Sequence, residues 1–253
     1  MPTFHTPQPI TASIQAAAGS IRLIATDRDD TVVEVRPHDP SRQADVRSAE
    51  QARISYANGK LAVAPAKHGF LGARMGVVDI LVELPSHSSA QVSVASADVH
   101  AEGDLADVRF ASASGNLGLQ SITGRLNAAT ASGDVEVGLL DGDVKFRAAS
   151  GSLTLDRVRG NAKSETSSGS TRIATAVSGA VVAHTASGDV EIGIPEGTAA
   201  QLDIMTASGV VTNRLQSSDG PNAADETLLV RVRSASGDVD IHRAVQAHGT
   251  MSG

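Results

Sequence analysis

Pairs of acidic residues recur in the second half of the chain and are the first side chains with recognisable chemistry. Each pair follows a Ser-Gly dipeptide: Asp134/Glu136, Asp189/Glu191 and Asp238/Asp240. Calcium needs several oxygen ligands that converge on one point, and calcium-binding strand repeats place Gly-Gly-x-Gly-x-Asp in every turn. Here the Asp follows its Gly directly, and Ser152 and Ser170 interrupt the acidic column. We therefore predict solvated charges that protect strand edges, with a cation site as the alternative.

Histidine and serine are the other residue types that could support catalysis. The eight histidines show no paired spacing typical of metal ligands, and the serines show no Gly-x-Ser-x-Gly nucleophile elbow with identifiable partners. The chain has no cysteine, which excludes a disulfide and a thiolate metal site. We predict no catalytic residue, no cofactor and no metal ion. The histidines are His5, His38, His68, His87, His100, His184, His242 and His248.

A short repeat positions all of these residues. Ser-Gly dipeptides recur at intervals of 18 residues and later of 19, 21 and 28, and a second glycine series lies 9 or 10 residues after the first. A fixed short period is the signature of a repeat fold, and glycine is expected at its turns because it adopts positive φ. The first series is Gly115, Gly133, Gly151, Gly169, Gly188, Gly209 and Gly237, and the second is Gly124, Gly142, Gly160, Gly179 and Gly197.

Apolar and polar residues alternate on both sides of each Ser-Gly corner. Counted from the glycine, positions −7 and −5 are apolar, as in Val144 and Phe146, and so are +2 and +4, as in Val135 and Val137. A period of two marks a strand with one buried face. We predict an all-β fold, namely a single-stranded β-solenoid with 18-residue coils over residues 86–243. Serine hydroxyls at position −1 are predicted to hydrogen-bond along the stack or to the turn backbone.

The first 85 residues are predicted to form a β-rich cap that is continuous with the solenoid and carries one short helix. Residues 10–36 are predicted to be paired strands, Asp39-Pro40 to begin the helix, and Asn58-Gly59 to be a hairpin turn. Residues 228–241 are predicted to close the last coil, and residues 244–253 to be a disordered tail. The predicted regions are thus 1–85, 86–243 and 244–253.

Two segments are predicted to contact partners. A glycine-rich loop outside the repeat is predicted to dock a partner through Lys67, Phe70, Leu71, Arg74 and Met75. The solenoid end behind residues 238–241 shows no evident cap, so end-to-end self-association is the second prediction.

Charge and hydropathy narrow the class of partner. A net charge of −7 without a basic cluster in the sequence argues against nucleic acid. No window approaches 18 consecutive apolar residues, so no membrane span is expected. The opening residues lack a basic segment followed by an apolar run, and a cytoplasmic location is therefore expected.

Several motifs occur together: Pro2-Thr3-Phe4 at the start, residues 31–37, the serial Ser-Gly-Asp-Val-Glu-Val units, and residues 220–227 before the closing unit. As a set they resemble a bacterial family of β-strand-repeat proteins labelled "putative adhesin", domain of unknown function 4097. The resemblance covers nearly the whole chain. It implies a β-solenoid and no known catalytic residues.

The main hypothesis for function is a non-enzymatic cytosolic scaffold or protein-interaction module that binds a protein partner or another copy of itself. The alternative is an exported surface adhesin that binds glycan or protein. A polysaccharide-cleaving enzyme ranks third, because an aromatic content of 2% leaves few rings to stack on sugars.

Overall fold

A computed structural model describes residues 1–65, 76–216 and 226–244. Within these ranges the chain forms nineteen strands and one helix, which confirms the all-β prediction. No helix in this part of the chain has the length and apolarity that a membrane span requires. The helix is α1 (Gln43–Glu50), and the strands are β1 (Thr3–His5), β2 (Thr11–Thr26), β3 (Asp30–Pro37), β4 (Arg53–Ala57), β5 (Lys60–Ala64), β6 (Val78–Pro85), β7 (Ser88–Ser112), β8 (Leu117–Ile122), β9 (Arg125–Thr130), β10 (Val135–Asp141), β11 (Asp143–Ala148), β12 (Leu153–Arg159), β13 (Ala162–Thr166), β14 (Thr171–Ser187), β15 (Val190–Ile194), β16 (Thr198–Ser208), β17 (Val211–Asn213), β18 (Glu226–Ser236) and β19 (Val239–Arg243).

The repeats stack as two parallel ladders whose register is one repeat. In the exit ladder, whose strands leave the Ser-Gly corners, Val135 pairs with Leu117 on one side and Leu153 on the other. In the entry ladder, whose strands lead into the corners, Val144 pairs with Leu126 and with Ala162. The exit ladder continues through the first part of β14, β15, β19 and β17, and the entry ladder through the second part of β14, β18 and β16.

The alternating apolar residues of both ladders form one buried core. Val135 and Val137 of the exit ladder are at most 2% exposed, as are Val144 and Phe146 of the entry ladder. These are positions +2, +4, −7 and −5 of the repeat, so the predicted inward face is confirmed. Burial of apolar surface stabilises the stack by about 25 cal/mol for each Å² removed from water.

In most layers the Ser-Gly glycines are required because the coils approach each other closely, and not because of positive φ; only Gly209 and Gly237, in the last layers, also have positive φ. A Cβ atom on Gly151 would lie 2.0 Å from the backbone oxygen of Gly133, and one on Gly133 would lie 2.0 Å from that of Gly115. The φ angles of Gly133 and Gly151 are not among the positive values. In the second glycine series, Gly142, Gly160 and Gly179 have both requirements. Gly142, for example, has φ +152°, and its Cβ would lie 2.0 Å from the Gly124 oxygen.

Hydroxyls at position −3, rather than at −1, satisfy the backbone of the corner. Thr130 Oγ1 accepts a hydrogen bond from the N–H of Gly133 at 2.8 Å, and Thr166 Oγ1 accepts one from Gly169 at 2.8 Å. The serines at −1, such as Ser132, are exposed. The prediction that the hydroxyls at −1 satisfy the backbone of the turn is therefore wrong. Both positions carry small hydroxyl residues, but only those at −3 face inward.

Strand β2 forms a layer of the parallel stack and does not pair with β3, which corrects the prediction that residues 10–36 are strands paired with one another. It pairs in parallel with β7, from Thr11 opposite Ser89 to Ile24 opposite Glu102. Its other edge pairs in parallel with β5 and β6. This arrangement follows from a glycine corner within β2 itself, because Gly19 aligns with Ala97, one repeat before Gly115.

Antiparallel strands close the N-terminal end. β4 pairs with β5 through the hairpin predicted at Asn58-Gly59, where both residues have positive φ. β3 pairs antiparallel with β6 and with β1. The helix begins at Gln43 and not at Asp39, because the Asp39 carboxylate accepts hydrogen bonds from the N–H and hydroxyl of Ser41 and so forms a tight turn before it.

The last coil in sequence is not the last layer of the stack. β18 lies between β14 and β16, and β19 lies between β15 and β17. Residues 198–213 are therefore the outermost layer, which corrects the prediction that residues 228–241 close the stack. The side chains explain the order: Ile241 of β19 lies on Ile192 of β15 and is fully buried, whereas β17 offers Asn213 at the same position.

Candidate functional site

The first residue of each acidic pair hydrogen-bonds to the backbone of the next layer. Asp134 Oδ1 accepts a hydrogen bond from the N–H of Ser152 at 2.8 Å. Asp189 Oδ1 accepts one from the N–H of Asp238 at 2.9 Å, and Asp238 Oδ1 accepts one from the N–H of Val210 at 2.8 Å. Each of these carboxylates therefore links two adjacent layers by a hydrogen bond. This also holds for the last layers, whose order in the stack differs from their order in the sequence.

Asparagine and serine continue the same column of acceptors. Asn116 Oδ1 accepts a hydrogen bond from the N–H of Asp134 at 2.9 Å, and Ser152 Oγ accepts one from Ser170 at 3.3 Å. Ser170 Oγ accepts one from Asp189 at 3.2 Å. In these layers the position after the corner thus carries a short side chain with an acceptor oxygen, and the two serines do not interrupt the column. Val210 stands at this position in the outermost layer. This acceptor ladder comprises Asp98, Asn116, Asp134, Ser152, Ser170, Asp189 and Asp238.

The second residues of two acidic pairs form surface ion pairs. Glu191 lies 2.9 Å from Arg172 and 3.3 Å from His242, and Asp240 lies 3.1 Å from Arg214. Exposed pairs of this kind contribute about 0–1 kcal/mol each. Across the described residues, no three histidine, aspartate or glutamate side chains are grouped so that they could hold a metal ion.

Removing the acceptor at Asp134 is expected to destabilise the stack, whereas removing its charge is not. Asp134→Ala leaves the Ser152 N–H without its partner and should lower the free energy of unfolding by about 1 kcal/mol. Asp134→Asn keeps an acceptor, as Asn116 does in the neighbouring coil, and should change stability by less than about 0.5 kcal/mol. Thermal unfolding with and without calcium measures both effects. Equal losses in the two variants, or a rise in melting temperature with calcium that both abolish, would favour a cation site instead.

The predicted docking loop lies outside the described residues. Lys67, Phe70, Leu71, Arg74 and Met75 all fall within residues 66–75, and most of the predicted C-terminal tail falls within residues 245–253. The loop stays a prediction.

A broad surface depression lies elsewhere, on the outer face of the entry ladder near its C-terminal end. It is a shallow, open groove of about 900 Å³. Small residues line it, among them Ala148, Ala186 and Ala235, with Glu165 and Arg233 beside them. A second groove of about 770 Å³ begins at Ala149 and follows the same face toward Ser93. Both grooves follow position −2 of the repeat, which is alanine or serine in every coil from Ala113 to Ala235.

Cations outnumber carboxylates beside the first groove. Glu165 is shared by Arg147 at 2.7 Å and Lys163 at 2.6 Å. Asp203 is shared by Arg231 at 3.1 Å and Arg233 at 2.7 Å. We refer to these six residues as the cation-rich cluster. Four cations and two carboxylates leave an excess of positive charge on a chain whose net charge is −7.

Strand pairing brings the cluster together. Across adjacent strands, Arg147 pairs with Glu165, Glu165 with His184, and His184 with Arg233. The cluster therefore draws on residues from 147 to 233, and no window of the sequence contains a basic run. A search for equal repeat positions in successive coils could have found it, because Arg147, Glu165, His184 and Arg233 all stand at position −4.

The cluster strongly favours the charged form of Glu165. Hydrogen bonds from Lys163 and then from Arg147 lower the pKa of its carboxyl to about 2 from an ordinary value of 4.5. Hydrogen bonds from Arg233, and secondarily from Arg231, likewise lower the pKa of Asp203. A depressed pKa in the folded state stabilises the fold above the unfolded pKa, and this stabilisation is lost as pH falls through the folded value.

Glu165→Gln is expected to be less stable than the unsubstituted protein at pH 7 by about 0.5–1 kcal/mol, after allowance for solvent screening of this partly exposed group. The difference should shrink between pH 4.5 and about 2, where the carboxyl becomes protonated. Melting temperatures of both proteins measured over this range test the prediction. Glu136→Gln, which changes a carboxylate outside the cluster, is the control. If the difference in melting temperature between Glu165→Gln and the unsubstituted protein stays constant with pH, the lowered pKa assigned to Glu165 is contradicted.

Comparisons with known proteins identify a family and several similar solved structures. The chain matches the family described as Toastrack DUF4097 over residues 13–250. It is similar to the structure of a "putative adhesin" from Bacteroides fragilis, with 13% identity, 95% of each chain covered and a TM-score of 0.56. A "putative adhesin" from Parabacteroides merdae has 13% identity, coverage of 96% of this chain and 95% of that one, and a TM-score of 0.49. A "putative lipid binding protein" from Parabacteroides distasonis has 12% identity, 96% coverage of each chain and a TM-score of 0.47. No curated protein matches the chain.

Proposed function

Since the chain belongs to the Toastrack DUF4097 family, we propose that it is a non-enzymatic binding protein whose entry ladder holds an extended acidic segment of a partner protein. The groove beside the cation-rich cluster is the observation that carries this proposal. Its open shape suits a chain that lies along the surface better than a small molecule, which proteins usually enclose.

The length of the face supports a polypeptide as the ligand. The two grooves adjoin at Ala148 and Ala149 and together follow position −2 over eight layers. Strands about 4.8 Å apart give this face a length on the order of 35 Å. An extended segment of about ten residues spans that distance. Small side chains at position −2 allow the backbone of such a segment to approach the sheet closely.

The charge of the cluster supports an acidic segment. An excess of guanidinium and ammonium groups attracts carboxylates and speeds association at low ionic strength. The described residues that line the two grooves include no Phe, Tyr or Trp side chain. The large aromatic side chains on which sugar rings and bases commonly stack are therefore absent from this lining.

Fluorescence anisotropy with a labelled poly-glutamate peptide of about ten residues tests the proposal. We expect saturable binding that weakens with added salt, and weaker binding of a poly-glutamine peptide of the same length. Ala186→Trp fills the groove with an exposed side chain and should weaken binding at least about tenfold, or about 1.4 kcal/mol. Leu139→Trp, on the exit ladder, is the matched control. Equal binding of both peptides, or no effect of Ala186→Trp, would overturn the proposal.

We also infer that the two ladders are opposite walls of one β-solenoid. The parallel register of one repeat in both ladders and the single core cluster support this inference. Small-angle scattering is the test. An elongated particle is expected, and a profile typical of a sphere would contradict it.

We propose that the protein acts as a scaffold and that it binds its partner in the cytoplasm. Surface adhesion is the alternative, which the name "putative adhesin" of the Bacteroides fragilis structure favours. Fractionation of the native cells with an antibody to the protein separates the two. Recovery of the protein on the outer surface would contradict the cytoplasmic location and support the adhesion alternative.

A further inference from the structure

The cation-rich cluster consists of two triads, each of which holds one carboxylate between two cations. All members stand at position −4 or −6 of the repeat, beside the −2 positions that the grooves follow. The first triad is Arg147, Lys163 and Glu165, and the second is Arg231, Arg233 and Asp203. The first groove therefore has two charged points along the same side.

Each triad carries a net positive charge. The hydrogen bonds within the triads lower the pKa of both carboxyls, that of Glu165 to about 2, so Glu165 and Asp203 are charged at neutral pH. Two cations and one carboxylate leave one positive charge in each triad. The four cationic side chains are between 36% and 56% exposed, so this charge is accessible to a ligand.

Both triads also have N–H groups to offer a ligand. Arg147 donates to Glu165 through Nε at 2.7 Å, and Arg231 donates to Asp203 through Nε at 3.1 Å. Among the described residues, the terminal N–H groups of these two arginines have no acceptor. The planar end of a guanidinium can bind a carboxylate through two parallel hydrogen bonds. Each triad can thus hold one carboxylate of a ligand in addition to its own.

The order of the strands sets the distance between the triads. The first triad spans β11 and β13, and the second spans β18 and β16. The second part of β14 lies between β13 and β18. The middle of one triad is therefore three strand spacings from the middle of the other, or about 14 Å.

We propose that the partner's segment carries two acidic residues four positions apart, one for each triad. The inference rests on the proposed function and specifies its ligand further. An extended chain advances about 3.4 Å per residue, so four residues span about 14 Å. Successive side chains point to opposite sides, so only even spacings direct both acids toward the triads. Spacings of two and six residues span about 7 Å and 20 Å, which do not match the distance between the triads.

Competition against the labelled poly-glutamate peptide tests the spacing. The competitors are three ten-residue peptides with two glutamates in a glutamine background, at a spacing of two, four or six. Their composition and charge are the same, so a general attraction of anions would not distinguish them. We expect the peptide with a spacing of four to displace poly-glutamate at a concentration at least about threefold lower than the other two require.

Substitution of one arginine in each triad separates the two contacts. Arg147→Gln and Arg231→Gln each remove the excess charge of one triad. Either variant should abolish the preference for a spacing of four, while poly-glutamate should still bind more weakly. Arg172→Gln is the matched control, because Arg172 is also paired with a carboxylate, at 2.9 Å from Glu191, but lies on the exit ladder.

The outcomes distinguish this inference from the proposed function. Equal displacement by the three peptides, or displacement by none of them, would overturn the inference if poly-glutamate still binds. A preference for a spacing of four that both variants retain would also overturn it, because the triads would not be its cause. Failure of poly-glutamate itself to bind would contradict the proposed function, and the inference with it.

Discussion

Gly151→Ala is expected to lower the melting temperature by roughly 6–12 °C, which corresponds to about 3 kcal/mol for a chain of this size. The added Cβ would lie 2.0 Å from the backbone oxygen of Gly133 in the layer below. Backbone atoms held in two ladders cannot move aside as the end of a side chain can. The coils on both sides of Gly151 would have to separate, at the cost of hydrogen bonds and core packing.

Gly118→Ala is the matched control for this prediction. Gly118 lies in β8, and its added Cβ would approach the ring of His100 at 2.9 Å, a side chain that is free to turn outward. The expected change is within about 1 kcal/mol and can be favourable, because alanine loses less backbone entropy than glycine on folding. Thermal unfolding followed by circular dichroism measures both variants. Similar melting temperatures would show that the close approach of the coils does not limit stability.

Phe146→Ala is expected to lower the free energy of unfolding by about 3–5 kcal/mol. Phe146 is fully buried and is the largest of the completely enclosed side chains. Its neighbours on adjacent strands are Ala128 and Ser164, so the ring fills the space above two small residues. Truncation would leave three small residues in a row and a cavity that the rigid ladders cannot close.

Volume exchange between neighbouring layers separates cavity formation from a general loss of hydrophobicity. Adding Ala128→Phe to Phe146→Ala restores the total core volume one layer away and should recover part of the lost stability. Leu139→Ala removes a leucine that is 53% exposed and should have little effect. Chemical denaturation measures all three. An equal loss in Leu139→Ala and Phe146→Ala would contradict the assignment of Phe146 to the core.

The acceptor ladder shows why the role of a motif was only partly predictable. The recurrence of Asp after Ser-Gly was visible in the sequence, and so was its replacement by Ser152 and Ser170. Read as charges, the serines interrupt the column. Read as hydrogen-bond acceptors, they continue it, since Ser152 Oγ accepts from Ser170 as Asp134 Oδ1 accepts from Ser152. The choice depends on where the neighbouring N–H points, which only the stacked backbone specifies.

The repeat period by itself determined the strands, the parity of their buried faces and the 18-residue register of most layers. These features follow from local alternation of apolar and polar residues and from glycine spacing, and both recur in every repeat. The tertiary structure alone decided the order of the last layers, where β18 and β19 are inserted beneath β16 and β17. That order depends on which of two segments distant in sequence, such as β17 and β19, has the more apolar side chains to bury against β15. It also assembled the cation-rich cluster, because strand pairing joins residues that no window of sequence contains together.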